Sequence, residues 1–244
     1  MCKMWCRRLM RLDKYLCKST DLTKPEAIEC IHNGEVKVNS GVITDESTQV
    51  HESNNILLNG SPLKLREFRY LLMHKPAGTI CSNIDEVYPS LFNYLELEKA
   101  SELHIAGRLD ADTTGLVLIT DDGRWSFNIT LPTKSCKKMY RVTLSQDIKG
   151  DVADKFKAGI QLQGEQKLTR PAVLEVITSK EVLLTITEGK FHQVKRMFAA
   201  VGNRVVGLHR EQIGDVRLDV EVGKWRYLTK AEVDSFQQDS EQEL

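Results

Sequence analysis

The chain of 244 residues lacks a net charge, because its 34 Lys and Arg residues balance its 34 Asp and Glu residues. A domain that binds nucleic acid through its overall charge usually has a high isoelectric point, so the neutral total argues against a simple basic nucleic-acid binder. Long apolar runs are also missing, as is the apolar core of an N-terminal signal peptide. Spanning a bilayer takes about 20 apolar residues. We therefore expect a cytoplasmic globular protein.

Paired metal-binding and redox motifs are missing as well. The six cysteines form no Cys-x-x-Cys pair, and the six histidines form no His-x3-His pair. Zinc sites and thiol redox sites usually use such spacings. The sequence therefore predicts reduced thiols, no metal and no cofactor.

Charge is present in quantity, but it is sorted along the chain. The net charge is +5 over residues 1–24, +5 over 124–142 and +4 over 186–210. It is −7 over residues 85–122 and −5 over 231–244. Because these segments cancel, the total says little about the surface that a partner meets.

The first part of the chain has the pattern of a small domain with helices and short strands. Leu12, Tyr15 and Leu16 share one helical face. A capping box with an early proline, Thr23-Lys24-Pro25-Glu26, predicts the start of a second helix, and Asn33-Gly34 predicts its end. Short strands are predicted at 36–38 and 56–58.

The pattern changes to longer strands near residue 68. Strands are predicted at 70–73, 116–120, 140–144, 173–177 and 182–186, and helices at 151–159, 191–201 and 230–237. Because strands outnumber helices and neighbouring strands suit hairpins, we expect an α+β fold with a mainly antiparallel mixed sheet. The predicted organisation is an extension at 1–9, a small domain at 10–58, a linker at 59–67, a larger domain at 68–237 and an acidic tail at 238–244.

Residues 107–123 are the most informative segment, because a polar loop leads directly into an apolar strand. The loop contains Arg108, Asp110 and Asp112. A loop fixed on a rigid element is a common position for catalytic groups. Taken alone, an aspartate in such a loop more often caps a turn than it catalyses a reaction.

The pattern Gly-Arg-Leu-Asp-x-x-Thr-x-Gly-Leu at 107–116 resembles the active-site motif of pseudouridine synthases, in particular the bacterial ribosomal branch. Further segments resemble the other family motifs in the family's order, at 72–78, 138–142, 188–197 and 208–214. The resemblance covers about 68–228. It implies a catalytic domain that isomerises one uridine of ribosomal RNA, with 16S RNA as the expected substrate.

The N-terminal segment resembles the small RNA-binding module named after ribosomal protein S-four. The similarity lies in 11–16, in Glu26-Ala27 and in the segment from Gly34 to Asn39. Thr23-Lys24 stands where that family usually has Ser-Arg, which puts a bidentate phosphate contact in doubt. The resemblance implies RNA contacts by the basic side chains of this module: Arg11, Lys14, Lys18, Lys24 and Lys37.

The same resemblance assigns roles in the larger domain. It implies that Asp110 is the catalytic carboxylate and that Lys195 holds it ionised. Arg196 would hold phosphate or the motif loop. Arg108 would enter the space that the flipped uridine leaves, Tyr140 would lie against the flipped base, and Leu208 would form an apolar wall. From the residues alone, Lys195 and Arg196 also suit a solvated helix face, Tyr140 an ordinary strand, and Arg108 an ion pair with the local acids.

Three other functions compete with this interpretation. The enzyme could act on 23S RNA, since large-subunit relatives share the fold. A non-catalytic RNA-binding or ribosome-assembly factor could use the same scaffold, although Asp110, Tyr140 and Lys195 argue against it. A glycoside hydrolase would need two carboxylates facing one sugar bond, and Asp110 and Asp112 lie two residues apart in one loop. We expect a monomer whose partner is ribosomal RNA or a small-subunit assembly intermediate, with no membrane.

Overall fold

The computed structural model describes residues 9–51 and 53–236, and the chain divides into two units after Glu67. Within those residues, no helix has both the length and the apolar character needed to cross a membrane. The predicted N-terminal extension, apart from Leu9, and the predicted acidic tail lie outside the described residues.

The first unit combines two helices with short antiparallel strands. Its elements are β1 (Leu9–Arg11), α1 (Leu12–Ser19), α2 (Lys24–His32), β2 (Val36–Val38), β3 (Gly41–Val42), β4 (Gln49–His51), β5 (Ile56–Leu58) and β6 (Ser61–Pro62). Strands β1 and β4 pair with each other, and a second sheet has the order β3-β2-β5-β6. Leu12, Leu16 and Ile31 from the two helices are fully buried in one core with Val36 and Ile56 from the strands.

Local signals define the second helix of this unit. The Glu26 carboxylate accepts a hydrogen bond from the Thr23 backbone N–H at 2.7 Å, as the capping-box pattern predicts. Gly34 follows the helix with φ +75°, a left-handed conformation that suits glycine after a helix end.

The segment 59–67 differs from the linker that the sequence predicts. Ser61 and Pro62 pair with β5, and Leu63 and Leu65 pack against the core of the first unit. The turn formers at 59–62 therefore close a hairpin, and the apolar residues that follow extend the unit to Glu67.

The second unit contains the longer strands. Its elements are β7 (Tyr70–Lys75), β8 (His104–Ala106), β9 (Thr114–Thr120), α3 (Gly123–Thr130), β10 (Lys138–Leu144), α4 (Val152–Ala158), β11 (Val173–Thr178), β12 (Glu181–Ile186), α5 (Gln193–Ala200), β13 (Val205–Ile213), β14 (Val216–Arg217), β15 (Trp225–Tyr227) and α6 (Lys230–Ser235). Short 3-10 helices occur at Leu91–Tyr94, Ala100–Glu102 and Pro132–Lys134.

The described strands of this unit form one sheet of nine, with the main order β11-β12-β10-β13-β9-β7-β15. Strand β14 pairs with β13, and β8 pairs with β9. The pairs are antiparallel except that β13 runs parallel to β9, with His209 opposite Thr114 and Arg210 opposite Gly115. The predicted α+β class with a mainly antiparallel mixed sheet is confirmed.

The central strands are buried on both faces of the sheet. Leu71 and Val117 belong to one core, whereas Leu72 and Leu118 belong to a second core on the opposite face. Strands buried on both faces need continuous apolar runs, which explains the sequence pattern at 70–73 and 116–120.

Helix α3 was not predicted from the sequence. The carboxylate of Asp122 accepts hydrogen bonds from the backbone N–H groups of Arg124 at 3.0 Å and Trp125 at 3.3 Å. Asp121-Asp122-Gly123 therefore ends β9 and also begins a helix, with Asp122 as its N-cap.

Candidate active site

The loop that carries Asp110 connects β8 to β9 and is held by a buried ammonium group. Lys75, at the end of β7, is 0% exposed. Its Nζ donates hydrogen bonds to the carbonyl oxygens of Pro76 at 3.1 Å, Ala111 at 3.2 Å and Thr113 at 2.9 Å. Burial lowers the pKa of Lys75 from its ordinary value. Two of these bonds fix the backbone directly after Asp110.

A buried guanidinium fixes the other end of the same loop. Arg210 on β13 is 1% exposed. Its Nη2 donates to the Gly107 carbonyl at 2.7 Å, and its Nε donates to the Leu116 carbonyl at 2.7 Å. Lys75 and Arg210 therefore hold the loop from both sides, and Asp110 lies between the two attachment points.

Gly115 explains why this arrangement requires glycine at the start of β9. Its φ is +109°, and a Cβ at this position would lie 2.3 Å from the backbone oxygen of Arg210. Any side chain here would push β13 away from β9. Gly115 of the motif at 107–116 is thus needed for the close approach of β9 and β13.

The carboxylate of Asp110 is in contact with two potential cations. Lys195 Nζ donates to Asp110 Oδ2 at 3.0 Å and to Asp112 Oδ1 at 2.6 Å. His192 Nε2 lies 3.3 Å from the second oxygen of Asp110, Oδ1. The side chains of Lys195 and Asp110 are 26% and 29% exposed, so water screens the pair only in part.

The charges of this cluster stabilise one another. Burial works against the charge of Lys195, but its hydrogen bonds to Asp112 and Asp110 outweigh that effect and raise the pKa of Lys195. The hydrogen bond from Lys195 also lowers the pKa of Asp112. The contact therefore favours a charged ammonium on Lys195 beside an ionised Asp112 at neutral pH.

The start of α5 places His192 and Lys195 beside Asp110. His192 has φ +47° and ψ 34°, a left-handed conformation that non-glycine residues seldom adopt. A buried pair supports this turn: Gln193 Nε2 donates to Glu188 Oε1 at 2.9 Å, while Gln193 Oε1 accepts from the Lys190 N–H at 2.9 Å. Helix α5 then places Lys195 in its first turn.

These groups line a cleft of about 740 Å³. Tyr140 on β10 is 7% exposed, lines the cleft, and accepts a hydrogen bond on its hydroxyl from Arg210 Nη1 at 3.3 Å. The lining includes five cationic side chains and the single carboxylate of Asp110, all within the described residues. The cations are Arg108, Lys138, Lys190, Lys195 and Arg210.

The structure brings most of the predicted site residues together. Asp110, Arg108, Tyr140, Lys195 and Leu208 all line the cleft, with Arg108 exposed and Leu208 half-buried. From the basic segment at 124–142, the lining residues are Thr130, Lys138 and Tyr140.

Arg196 differs from the others, because its guanidinium contacts protein groups beside the cleft. It donates to the carbonyls of Gln163 at 2.6 Å and Phe191 at 2.9 Å, and to the carboxylate of Glu165 at 3.2 Å. On a helix, successive residues point in directions about 100° apart, so Lys195 and Arg196 face different neighbours.

The basic residues predicted to contact RNA in the first unit differ in their exposure to solvent. Arg11, Lys14, Lys24 and Lys37 are exposed, and Arg11 is already paired with Asp13 at 2.9 Å. Lys18 is only 6% exposed, so it is less accessible to RNA than these four side chains. Lys18 follows Tyr15 by three positions in α1, so it shares the buried face of that helix.

Sequence reasoning missed His192, Lys75 and Arg210 as site residues. His192 lies within a motif segment, but its left-handed backbone and its approach to Asp110 cannot be seen from spacing. Lys75 and Arg210 act on backbone carbonyls, which leave no pattern in the sequence. The available signal was a basic residue inside or directly after an otherwise apolar strand, since a buried cation must find acceptors.

The sequence matches known families over both units. The sequence model of the RNA pseudouridylate synthase family matches residues 69–200, and that of the S4 domain matches residues 10–64. The ribosomal small subunit pseudouridine synthase A of Vibrio cholerae is 50% identical over 229 residues, which cover 93% of this chain and 99% of that protein. The protein of the same name from Escherichia coli is 45% identical over 229 residues, with the same coverage of both chains.

A solved structure supports the same assignment. The crystal structure of a pseudouridylate synthase aligns with a TM-score of 0.69 and 43% identity, and covers 93% of this chain and 99% of that one. The chain therefore belongs to the RNA pseudouridylate synthase family, a family of isomerases, and it carries an S4 domain before the catalytic domain.

Proposed function

We propose that this protein converts one specific uridine of 16S ribosomal RNA to pseudouridine, with Asp110 as the catalytic carboxylate. The observation that carries the proposal is the position of Asp110: it lies in a cationic cleft, on a loop fixed by Lys75 and Arg210, with Lys195 Nζ at 3.0 Å. The names of the relatives in Vibrio cholerae and Escherichia coli support the small subunit as the source of the RNA.

The reaction is an isomerisation that consumes no co-reactant. The bond between ribose C1′ and uracil N1 breaks, the base turns, and a bond forms between C1′ and C5. The proton leaves C5 and N1 gains one, so atoms and electrons balance. Asp110 takes part either by attacking C1′ or by removing a neighbouring sugar proton, and an ionised carboxylate serves both routes. Neither route requires a metal or a cofactor.

Lys195 keeps Asp110 ready for this step. Its ammonium donates a hydrogen bond to the carboxylate and fixes one of the two carboxylate oxygens in space. The approach of His192 to the other oxygen restricts rotation of the group. Preorganisation of this kind avoids a rearrangement when charge develops at the sugar.

The target base has to leave its stack before Asp110 can reach its ribose. Turning out a base takes a few kcal/mol. Tyr140, with its hydroxyl tied to Arg210, offers an aromatic face for the uracil, and base–aromatic stacking contributes about 1–3 kcal/mol. Arg108, exposed at the cleft, enters the space that the base leaves and contacts phosphate. Leu208 supplies the apolar wall of the pocket.

The two domains have different tasks in this proposal. In this proposal the N-terminal domain binds RNA through Arg11, Lys14, Lys24 and Lys37, and the domain from Phe68 onward performs the chemistry. Phosphate contacts supply affinity without sequence information, and two linked domains on one RNA raise the effective affinity. We propose that the protein acts in the cytoplasm as a monomer, on rRNA or on a small-subunit assembly intermediate.

Substitution of the carboxylate tests the proposal. Cells that lack the protein would be complemented with the wild type or with Asp110→Asn, and pseudouridine would be mapped along their 16S and 23S RNA. We expect one 16S position to be modified with the wild type and left as uridine with D110N, while the affinity of D110N for 16S RNA stays within about threefold, because the substitution removes no RNA-facing cation.

Two controls accompany this test. Asp151→Asn removes an exposed carboxylate directly before α4 that pairs with Lys155 and should leave modification unchanged. Asp112→Asn removes the second partner of Lys195 and should reduce the rate less than D110N. If the wild-type protein modifies no rRNA, the catalytic proposal is refuted and the hypothesis of a non-catalytic assembly factor remains. If the modified uridine lies in 23S RNA, the proposed chemistry stands and the proposed substrate is wrong.

A further inference from the structure

Phe191 is a large apolar side chain that the fold leaves in water. It is 75% exposed, and it lines the cleft that contains Asp110. Exposing an aromatic ring of this size forfeits part of the free energy that its burial would provide. Single exposed apolar residues are common on protein surfaces, so exposure alone does not identify a site.

The ring of Phe191 is held in a defined orientation. It is stacked on the imidazole of His192, with 3.8 Å between ring centroids and 21° between planes. The backbone beneath it is fixed as well, since Arg196 Nη1 donates to the Phe191 carbonyl at 2.9 Å. The outer face of the Phe191 ring is therefore presented by a supported pair of rings rather than by a free side chain.

The surroundings of this pair suit a nucleic acid. Lys190 and Lys195 flank the two rings in the sequence and line the same cleft. His192 has a left-handed backbone with φ +47°, and backbone strain of this kind is concentrated at functional sites. An exposed aromatic face among cations is the arrangement with which proteins stack unpaired bases and hold the adjoining phosphates.

We propose that Phe191 and His192 form a stacking platform on which a nucleobase next to the target uridine rests against the outer face of Phe191. This inference rests on the proposed function, because it assumes that the cleft receives an RNA strand. It adds a second base-binding position, separate from the one that Tyr140 provides for the uracil itself. His192 touches Asp110 on one side and Phe191 on the other, so binding of the neighbouring base also fixes the catalytic carboxylate.

Affinity measurements on the full-length protein test the platform. A 16S RNA transcript would be titrated with the wild type, Phe191→Ala, Phe191→Leu and Phe191→Tyr. We expect F191A and F191L to bind about 5- to 150-fold more weakly, which corresponds to the stacking of one base, and F191Y to bind like the wild type. Phe127→Ala is the matched control, because Phe127 is 56% exposed and absent from the cleft lining.

A second measurement identifies the base. An RNA fragment centred on the modified uridine would be made with an abasic nucleotide on the 5′ or the 3′ side. The loss caused by F191A should disappear for one of these two fragments and persist for the other. Equal losses on the intact fragment and on both abasic fragments would overturn the inference, as would F191A binding like the wild type.

Failure of this inference is distinguishable from failure of the proposed function. If the wild type modifies no RNA but F191A still binds the 16S transcript more weakly than the wild type and F127A do, base stacking on Phe191 stands and the assigned chemistry is wrong. If the wild type modifies its uridine and F191A binds every RNA normally, the chemistry stands and the platform is refuted. Thermal unfolding of each variant ensures that a loss of affinity does not reflect a loss of folded protein.

Discussion

Replacement of Lys195 by methionine removes the cation that bridges Asp110 and Asp112 while keeping most of the side-chain length. Two unit charges about 4 Å apart interact by about 4 kcal/mol at an effective dielectric constant of 20. The side chains of Lys195 and Asp110 are 26% and 29% exposed, so solvent screens this interaction in part. Breaking a fully buried pair costs about 3–5 kcal/mol and breaking an exposed pair about 0.2–1 kcal/mol. We expect a loss of about 1–2 kcal/mol for Lys195→Met, between those limits.

The loss should depend on pH in a defined way. The pKa of Asp112 is lowered in the folded protein, so its contribution to stability is present above the unfolded pKa of about 3.9 and is lost as pH falls through the folded value. The pKa of Lys195 is raised, so its contribution is present below about 10.4 and is lost as pH rises through the folded value. The difference between wild type and variant should therefore be largest between these limits and shrink on either side.

Urea denaturation at pH 3 and pH 7 measures the acid side of this dependence, and single-turnover isomerisation at pH 7 measures the effect on the reaction. We expect the same loss of about 1–2 kcal/mol in the transition state, where Asp110 takes part. Because about 1.4 kcal/mol is a factor of ten in rate, the isomerisation should slow about 5- to 30-fold. Lys195→Arg should retain most of the rate, and Lys155→Met, which breaks an exposed pair, should leave the stability nearly unchanged. A loss of stability that is equal at pH 3 and pH 7 would refute the electrostatic account and assign the effect to packing.

Two further substitutions address the strand contact and the N-terminal domain. Gly115→Ala places a Cβ 2.3 Å from the Arg210 backbone oxygen, so we expect destabilisation above about 3 kcal/mol by urea denaturation, whereas Gly164→Ala, with φ +79° and open space, should lose about 1–2 kcal/mol. Joint replacement of Arg11, Lys14, Lys24 and Lys37 by glutamine should flatten the plot of log affinity for 16S RNA against log salt by about 0.7–0.9 for each phosphate that is no longer neutralised. An unchanged slope would exclude these four residues from RNA binding.

The sequence was sufficient to predict the reacting side chains of the site, but not the contacts that hold the Asp110 loop. Asp110, Lys195 and Tyr140 could be named because each lies in a motif whose side-chain identity matters for the reaction. The attachment of the Asp110 loop could not be predicted in this way. Lys75 and Arg210 act on the carbonyl oxygens of Ala111, Thr113 and Gly107, and any residue at those positions supplies the same acceptor.

The secondary structure shows a similar division. The strands at 70–75 and 114–120 could be predicted, because burial on both faces requires unbroken apolar runs. Helix α3 was missed because Asp121-Asp122-Gly123 is equally typical of a turn, and only the bonds from the Arg124 and Trp125 N–H groups to Asp122 identify it as a helix start. The linker prediction at 59–67 failed for the same reason, since turn formers do not distinguish a hairpin from a connection between domains.

The neutral net charge is compatible with an RNA substrate because some of the acidic side chains are buried. Asp121 accepts hydrogen bonds from the backbone and the guanidinium of Arg69, and Asp122 accepts from the Tyr70 hydroxyl while it caps α3. Both side chains are almost completely buried, so their charges serve the fold and hardly reach a partner. Of the cations that line the cleft, Arg210 and Lys138 are buried as well, whereas Arg108, Lys190 and Lys195 are exposed or half-buried. An RNA strand drawn in by these three cations would meet the carboxylate of Asp110 in the cleft lining, at the position where the proposed reaction requires a negative group.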